Sequence, residues 1–135
     1  MYTQPSVINM SSTHLKILIV DDTDIVAERL YKMIIDIDSV DTVLKSNSYN
    51  QAVELINKQL PDIILLDIQL PGKNGIALLK FVKENYPSIK TIIVTNNASS
   101  NYKLICESIG ADFFIDKSAE FEKIPFIINR ISTQK

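Results

Sequence analysis

The chain has 135 residues, 46% hydrophobic and 22% charged, with a formal net charge of −2, the balance of one globular domain large enough to bury a core. That charge, with no basic stripe, excludes a bulk nucleic-acid binder, and apolar runs of four or five residues exclude a membrane span. A single cysteine excludes an internal disulfide and fits a reducing cytoplasm, while one histidine beside it cannot build a structural zinc site.

Residues 1–14 are polar and lack both a sustained period and the basic start of a leader, so they predict a tail or short arm ahead of a domain over 15–135. The run Ile17-Leu18-Ile19-Val20 predicts a first strand. Val26, Leu30, Met33, Ile34 and Ile37 then recur at steps of three and four, predicting a helix capped by Asp22 or Thr23. A weaker strand is expected near 42–45. The next helix is expected from about Tyr49 to Gln59, with Ala52, Ile56 and Leu60 on one face and Pro61 as its stop. Ile63-Ile64-Leu65-Leu66 has the composition of a central parallel strand buried on both faces.

A turn-rich loop from Asp67 to Gly75 precedes a helix to roughly Tyr86, with Leu78, Leu79 and Val82 inward. A strand over 90–94 leads to a helix from about Ser99 to Ile109, closed by Gly110. A strand over 112–116 follows. Pro125 would break a helix interior, which predicts a turn over 118–123 and a regular helix from about Ile124. Five strands alternating with five helices through short loops predict an α/β fold, a doubly wound five-stranded parallel sheet.

In such a sheet, ligands sit beyond the carboxyl ends of the strands. Asp21, Asp22, Asp67, Thr95 and Lys117 all fall there. Two unit charges ~4 Å apart interact by roughly 4 kcal/mol at an effective dielectric of 20, so clustered carboxylates need compensation. A lysine and a divalent cation supply it. All-oxygen ligands select a hard ion, and a site that also holds phosphate favours Mg²⁺. Asp67, after the most buried strand, is the candidate nucleophile, because a carboxylate can accept a phosphoryl group. Lys117 and the Thr95 hydroxyl would then neutralise phosphoryl oxygens.

These residues, in this order and strand context, resemble the receiver domains of two-component response regulators, the CheY-like family. The resemblance spans about residues 15–132. It implies a flavodoxin-like (βα)5 three-layer sandwich acting as a phosphorylation switch, not an enzyme on other substrates. Asp67 would be the phosphoacceptor, and Asp21, Asp22, Asp67 and Gln69 the Mg²⁺ site. Asp67, Thr95 and Lys117 would carry the self-catalysed phosphorylation and dephosphorylation, and Thr95 with Phe114 would form the switch. The phosphodonor would be a histidine kinase or a histidine phosphotransfer protein. Output would pass through the fourth helix, fifth strand and fifth helix to a protein target, in a cytoplasmic monomer or weak homodimer without nucleic acid or membrane contact. Few residues follow the last helix, which predicts a stand-alone receiver. Ser118 stands where the family commonly has proline, Asn96 where it has a small residue, and Phe114 where tyrosine is familiar. Gln69 and Asn96 would flank the phosphoryl group and tune hydrolysis.

Each residue also has an ordinary reading. An aspartate at 21 or 22 caps helices, Asp67 and Thr95 suit turns and strand ends, and a loop lysine is usually solvated. Their coincidence at four strand ends is what favours chemistry. Phe114 fits a core aromatic as well as a switch, Tyr102 reads as a surface residue, His14 as neither ligand nor phosphocarrier, and Cys106 as packing. Two competing functions remain. An aspartyl-phosphate phosphatase of the haloacid dehalogenase type needs a second aspartate two residues after its nucleophile, where this chain has Gln69. A phosphorylation-independent interaction module is the other. A flavin-binding flavodoxin is disfavoured by acids in the first turn, where a phosphate loop needs donors.

Overall fold

The structure, a computed structural model, describes residues 14–70, 74–96 and 99–134. The predicted tail over 1–13 lies outside the described residues. Strands β1 (Leu15–Val20), β2 (Val40–Ser46), β3 (Ile63–Leu66), β4 (Lys90–Thr95) and β5 (Phe113–Asp116) alternate with helices α1 (Asp24–Ile35), α2 (Tyr49–Gln59), α3 (Gly75–Asn85), α4 (Ser100–Ile109) and α5 (Ile124–Ser132). All pairings are parallel, in the order β2-β1-β3-β4-β5. This is the flavodoxin-like order, which reverses direction between β1 and β3.

Side chains alternate across a strand, so each strand feeds two cores. Ile17, Ile19, Ile63, Leu65, Ile92 and Val94 face Ala27, Leu30 and Ile34 of α1 and Ile124, Ile128 and Ile131 of α5. Leu18, Val20, Ile64, Leu66 and Ile93 face Ala52 and Ile56 of α2, Leu78, Leu79 and Val82 of α3, and Cys106 of α4. The unbroken apolar runs are thereby explained: both sheet faces are covered. Among the described residues no helix is long and apolar enough to cross a membrane.

Several boundaries differ from expectation. Leu60 does not continue the inner face of α2. It closes the helix in the left-handed region, with φ 48°, and is 58% exposed. The turn of the chain at the cap takes it off the face that Ala52 and Ile56 share. Thr23 is the N-cap of α1 but makes no side-chain cap; its own N–H is taken by Asp21 Oδ1 at 2.8 Å. The turn before α5 is a single 3₁₀ segment, Phe121–Lys123, and Pro125 lies in the first turn of α5, where no N–H is missed. The Arg29 guanidinium stands 4.2 Å from the Phe121 ring centroid, tying that segment to α1.

Candidate functional site

The sheet register brings the polar residues to one edge. The Asp67 N–H donates to Val20 O at 2.9 Å, and the Asp21 N–H to Ser46 O at 3.0 Å, so both acids prolong the ladder by one residue past their strands. On the far side Lys117 N–H donates to Thr95 O at 3.0 Å. Backbone bonds thus fix where all four side chains start.

Asp21, Asp67 and Thr95 are buried, whereas Asp22 is exposed. Carboxylate oxygens of Asp21, Asp22 and Asp67 lie within 4.8 Å of one another. The Lys117 ammonium, on a side chain only 7% exposed, is 2.8 Å from Asp67 Oδ2 and 2.6 Å from Asp21 Oδ2. Burial pulls its pKa down, but the two carboxylates outweigh burial and hold it above the ordinary lysine value. Asp67 Oδ1 accepts the Gln69 N–H at 3.0 Å, fixing the Asp67 rotamer from its own loop. Asp21 Oδ2 has its charge contact with Lys117 and no hydrogen-bond donor in line with it among the described residues.

The charge balance tests the fit of a cation. Asp21 and Asp67 share one ammonium and the Asp22 carboxylate stands beside them, so the cluster keeps a net negative charge with two of its three acids buried. Burying such a charge uncompensated is strongly unfavourable. An all-oxygen donor set with an exposed Asp22 on its open side suits a hard divalent ion that keeps waters. The residues present therefore fit such an ion.

Gly75, which ends the turn-rich loop after Asp67, has a steric reason that spacing alone does not show. Its N–H donates to Ile68 O at 2.8 Å. A Cβ there would run into the Asp67 carbonyl oxygen and come within 2.5 Å of Ile68 Cα. α3 can start against the Asp67 backbone only because this side chain is absent. The Asn74 side chain caps the helix by accepting the Ala77 N–H at 3.0 Å.

The remaining predicted residues fall around this cluster. Gln69 and Asn96 are both exposed on loops at the same edge. Phe114 is half-buried, pairs with Ile93 across β4 and β5, and packs against the core under α4. Tyr102, expected at the surface, is half-buried in that same core, one turn before Cys106 on the inner face of α4. Cys106 itself is fully buried, and burial pushes its thiol up, as packing requires and redox chemistry does not. His14 is exposed, 3.9 Å from Asp41 and remote from the cluster's partners.

The family model for the response regulator receiver domain matches residues 17–129. Response regulator GacA of Pseudomonas aeruginosa is 26% identical over 117 residues, which cover 87% of this chain and 55% of that protein. Transcriptional regulatory protein LnrK of Bacillus subtilis is 31% identical over 112 residues, 82% of this chain and 50% of that one. The isolated REC domain of RcsB from Salmonella enterica serovar Typhimurium, solved in the presence of the phosphomimetic BeF3⁻, matches with a TM-score of 0.84 and 21% identity, covering 91% of each chain. At that identity the likeness is one of fold. The chain spans about half the length of the curated relatives it matches.

Proposed function

The chain belongs to the response regulator receiver domain family, and from that premise we propose that it is a phosphorylation switch whose acceptor is Asp67. A phosphohistidine on a partner kinase or phosphotransfer protein supplies the group. The donor's P–N bond breaks as a P–O bond forms to an Asp67 carboxylate oxygen. Asp21, Asp22 and Asp67, with Gln69 at the mouth, would hold Mg²⁺, which supplies electrostatic neutralisation of the phosphoryl oxygens when bound. The reaction is confined to the protein's own phosphorylation and dephosphorylation, with the cytoplasm as its setting.

The observation that carries this reading is Lys117 braced between Asp21 and Asp67. A charged group already at the acceptor can turn to a phosphoryl oxygen with little reorganisation, which is how preorganised electrostatics lowers a barrier. Thr95, fixed to the Lys117 backbone, is the hydroxyl partner on the same side. Recruitment of Thr95 would tug the β4 end and repack Phe114, which sits under α4. α4 leaves Leu104 and Ile105 exposed and α5 leaves Phe126 exposed, an apolar supply for a protein partner on the output side.

Acetyl phosphate with Mg²⁺ should add one phosphoryl group to the intact mass of the wild type. Omission of Mg²⁺, or Asp67→Asn, should abolish the gain. An undiminished gain in Asp67→Asn would refute the acceptor.

A further inference from the structure

Lys117 lies in the turn just past β5, where its N–H donates to Thr95 O at 3.0 Å. A lysine stem of four carbons has many rotamers to lose, and a drifting anchor would compound that cost. The structure supplies an anchor. Asp116 Oδ1 accepts both the Ser118 N–H at 2.9 Å and the Ser118 hydroxyl at 2.7 Å, spanning Lys117 from the residue before to the residue after. The Asp116 N–H donates in turn to Glu120 Oε1 at 3.1 Å, and Asp116 O accepts the Glu120 N–H at 2.8 Å. Glu120 is itself held by Lys123, 2.8 Å from Oε2.

This is an Asx turn with a second, hydroxyl bond added, wrapped around one residue. Side-chain hydrogen bonds on an exposed loop are usually dispersed. Here three successive groups of one aspartate converge on the segment that bears the site's only ammonium among the described residues. The Ser118 hydroxyl first, and its N–H second, hold the Asp116 carboxyl below the usual carboxylate range, so the acceptor stays charged and the turn closed.

We propose that Asp116, acting through Ser118, is a positioning residue for Lys117: its carboxylate clamps the turn so that the ammonium is presented to Asp21 and Asp67. Asp116 touches none of the reacting atoms. The clamp rests on the reading of Asp67 and Lys117 as phosphoryl-binding groups.

That dependence gives the test its two arms. Beryllofluoride, a phosphoryl mimic, is titrated into the Mg²⁺-saturated protein and followed by ¹⁹F NMR, and Mg²⁺ is titrated alone by calorimetry. Asp116→Ala should weaken beryllofluoride about tenfold, and Ser118→Ala, which keeps the N–H bond, about threefold. Asp116→Asn keeps an oxygen acceptor and should recover most of the loss. Mg²⁺ affinity should not fall in any of the three, because its carboxylates are retained and a loosened Lys117 competes with the ion for them less. That split is not produced by a general loosening of the fold, and Ser118→Ala, at an exposed position, decides the matter should Asp116→Ala fail to fold. Wild-type beryllofluoride affinity in the Asp116→Ala and Ser118→Ala proteins would overturn the clamp alone. So would equal losses of Mg²⁺ and beryllofluoride, or an Asn variant as weak as the Ala. A wild type that binds no beryllofluoride would overturn the phosphoryl-site reading and the clamp with it.

Discussion

The two edges of one sheet treat their acids in opposite ways. At the amino edge, Asp112 precedes β5 and gives one oxygen to Lys83 Nζ at 2.9 Å and to the Thr91 N–H at 2.9 Å, with Lys90 3.9 Å from the other. Asp62 precedes β3 and takes the Lys16 N–H at 2.8 Å. Each acid there meets donors of its own and closes a strand start. At the carboxyl edge Asp21 and Asp67 share one ammonium, with the Asp22 carboxylate within 4.8 Å of theirs. The same residue type stabilises at one end and is held under-compensated at the other. Uncompensated charge on a rigid frame is what a cation and a phosphoryl group can satisfy.

The contrast can be broken from either end. The largest stability effect is expected at the satisfied edge: Asp112→Ala strands the Thr91 N–H, leaves the Lys83 ammonium with the Ile89 carbonyl alone, and should lower unfolding free energy by about 2–3 kcal/mol. Urea denaturation would measure it, and phosphoryl uptake from acetyl phosphate should survive. Gly75→Ala comes next, because its methyl collides with the Asp67 backbone. A loss of about 2 kcal/mol is expected, together with slower phosphoryl uptake, since relief of the clash must move the acceptor.

At the under-compensated edge, Mg²⁺ at about ten times its Kd should stabilise the wild type by about 1.4 kcal/mol. Thermal unfolding with and without the ion would show this. Asp22→Asn, at an exposed ligand position, should lose most of the gain, whereas Asp112→Ala should keep it.

The smallest effect is the pH dependence of the metal-free protein. Lys117 is raised above its ordinary value of 10.5, so its contribution is fully present below about that pH. It is lost as pH rises through the folded-state value. The stability advantage of the wild type over Lys117→Met should therefore shrink only on the alkaline side of 10.5. Denaturant midpoints taken on both sides of that pH would reveal it.

The architecture was legible because its strongest signals are physical extremes. Runs such as Ile63–Leu66 are tolerated only where both faces are covered, and turn residues punctuate every crossover. Asp21, Asp22, Asp67 and Lys117 come together because of their place at strand ends, and the Thr95 carbonyl meets the Lys117 N–H beside them. What escaped was decided by backbone course and close approach. Leu60 keeps the helical spacing of Ala52 and Ile56, but the cap has already turned it to solvent. Tyr102 looks polar-tipped and external, yet its ring shares the inner face with Cys106. Gly75 stands out as the end of the loop that follows Asp67, but why it must be glycine shows only in the backbone packed against it. Nor does spacing show that Asp21, the buried member of the acidic pair, meets the lysine directly.

The central claim is that the crowded edge makes Asp67, and no neighbouring acid, the phosphoryl acceptor. Borohydride reduction of the acetyl phosphate-treated, Mg²⁺-loaded protein, followed by peptide mapping, tests it most directly, because reduction converts an aspartyl phosphate to homoserine. Homoserine is expected at position 67, with aspartate retained at 21 and 22. Homoserine at position 21 or 22, or none at 67 in protein that carries the added phosphoryl mass, would contradict it.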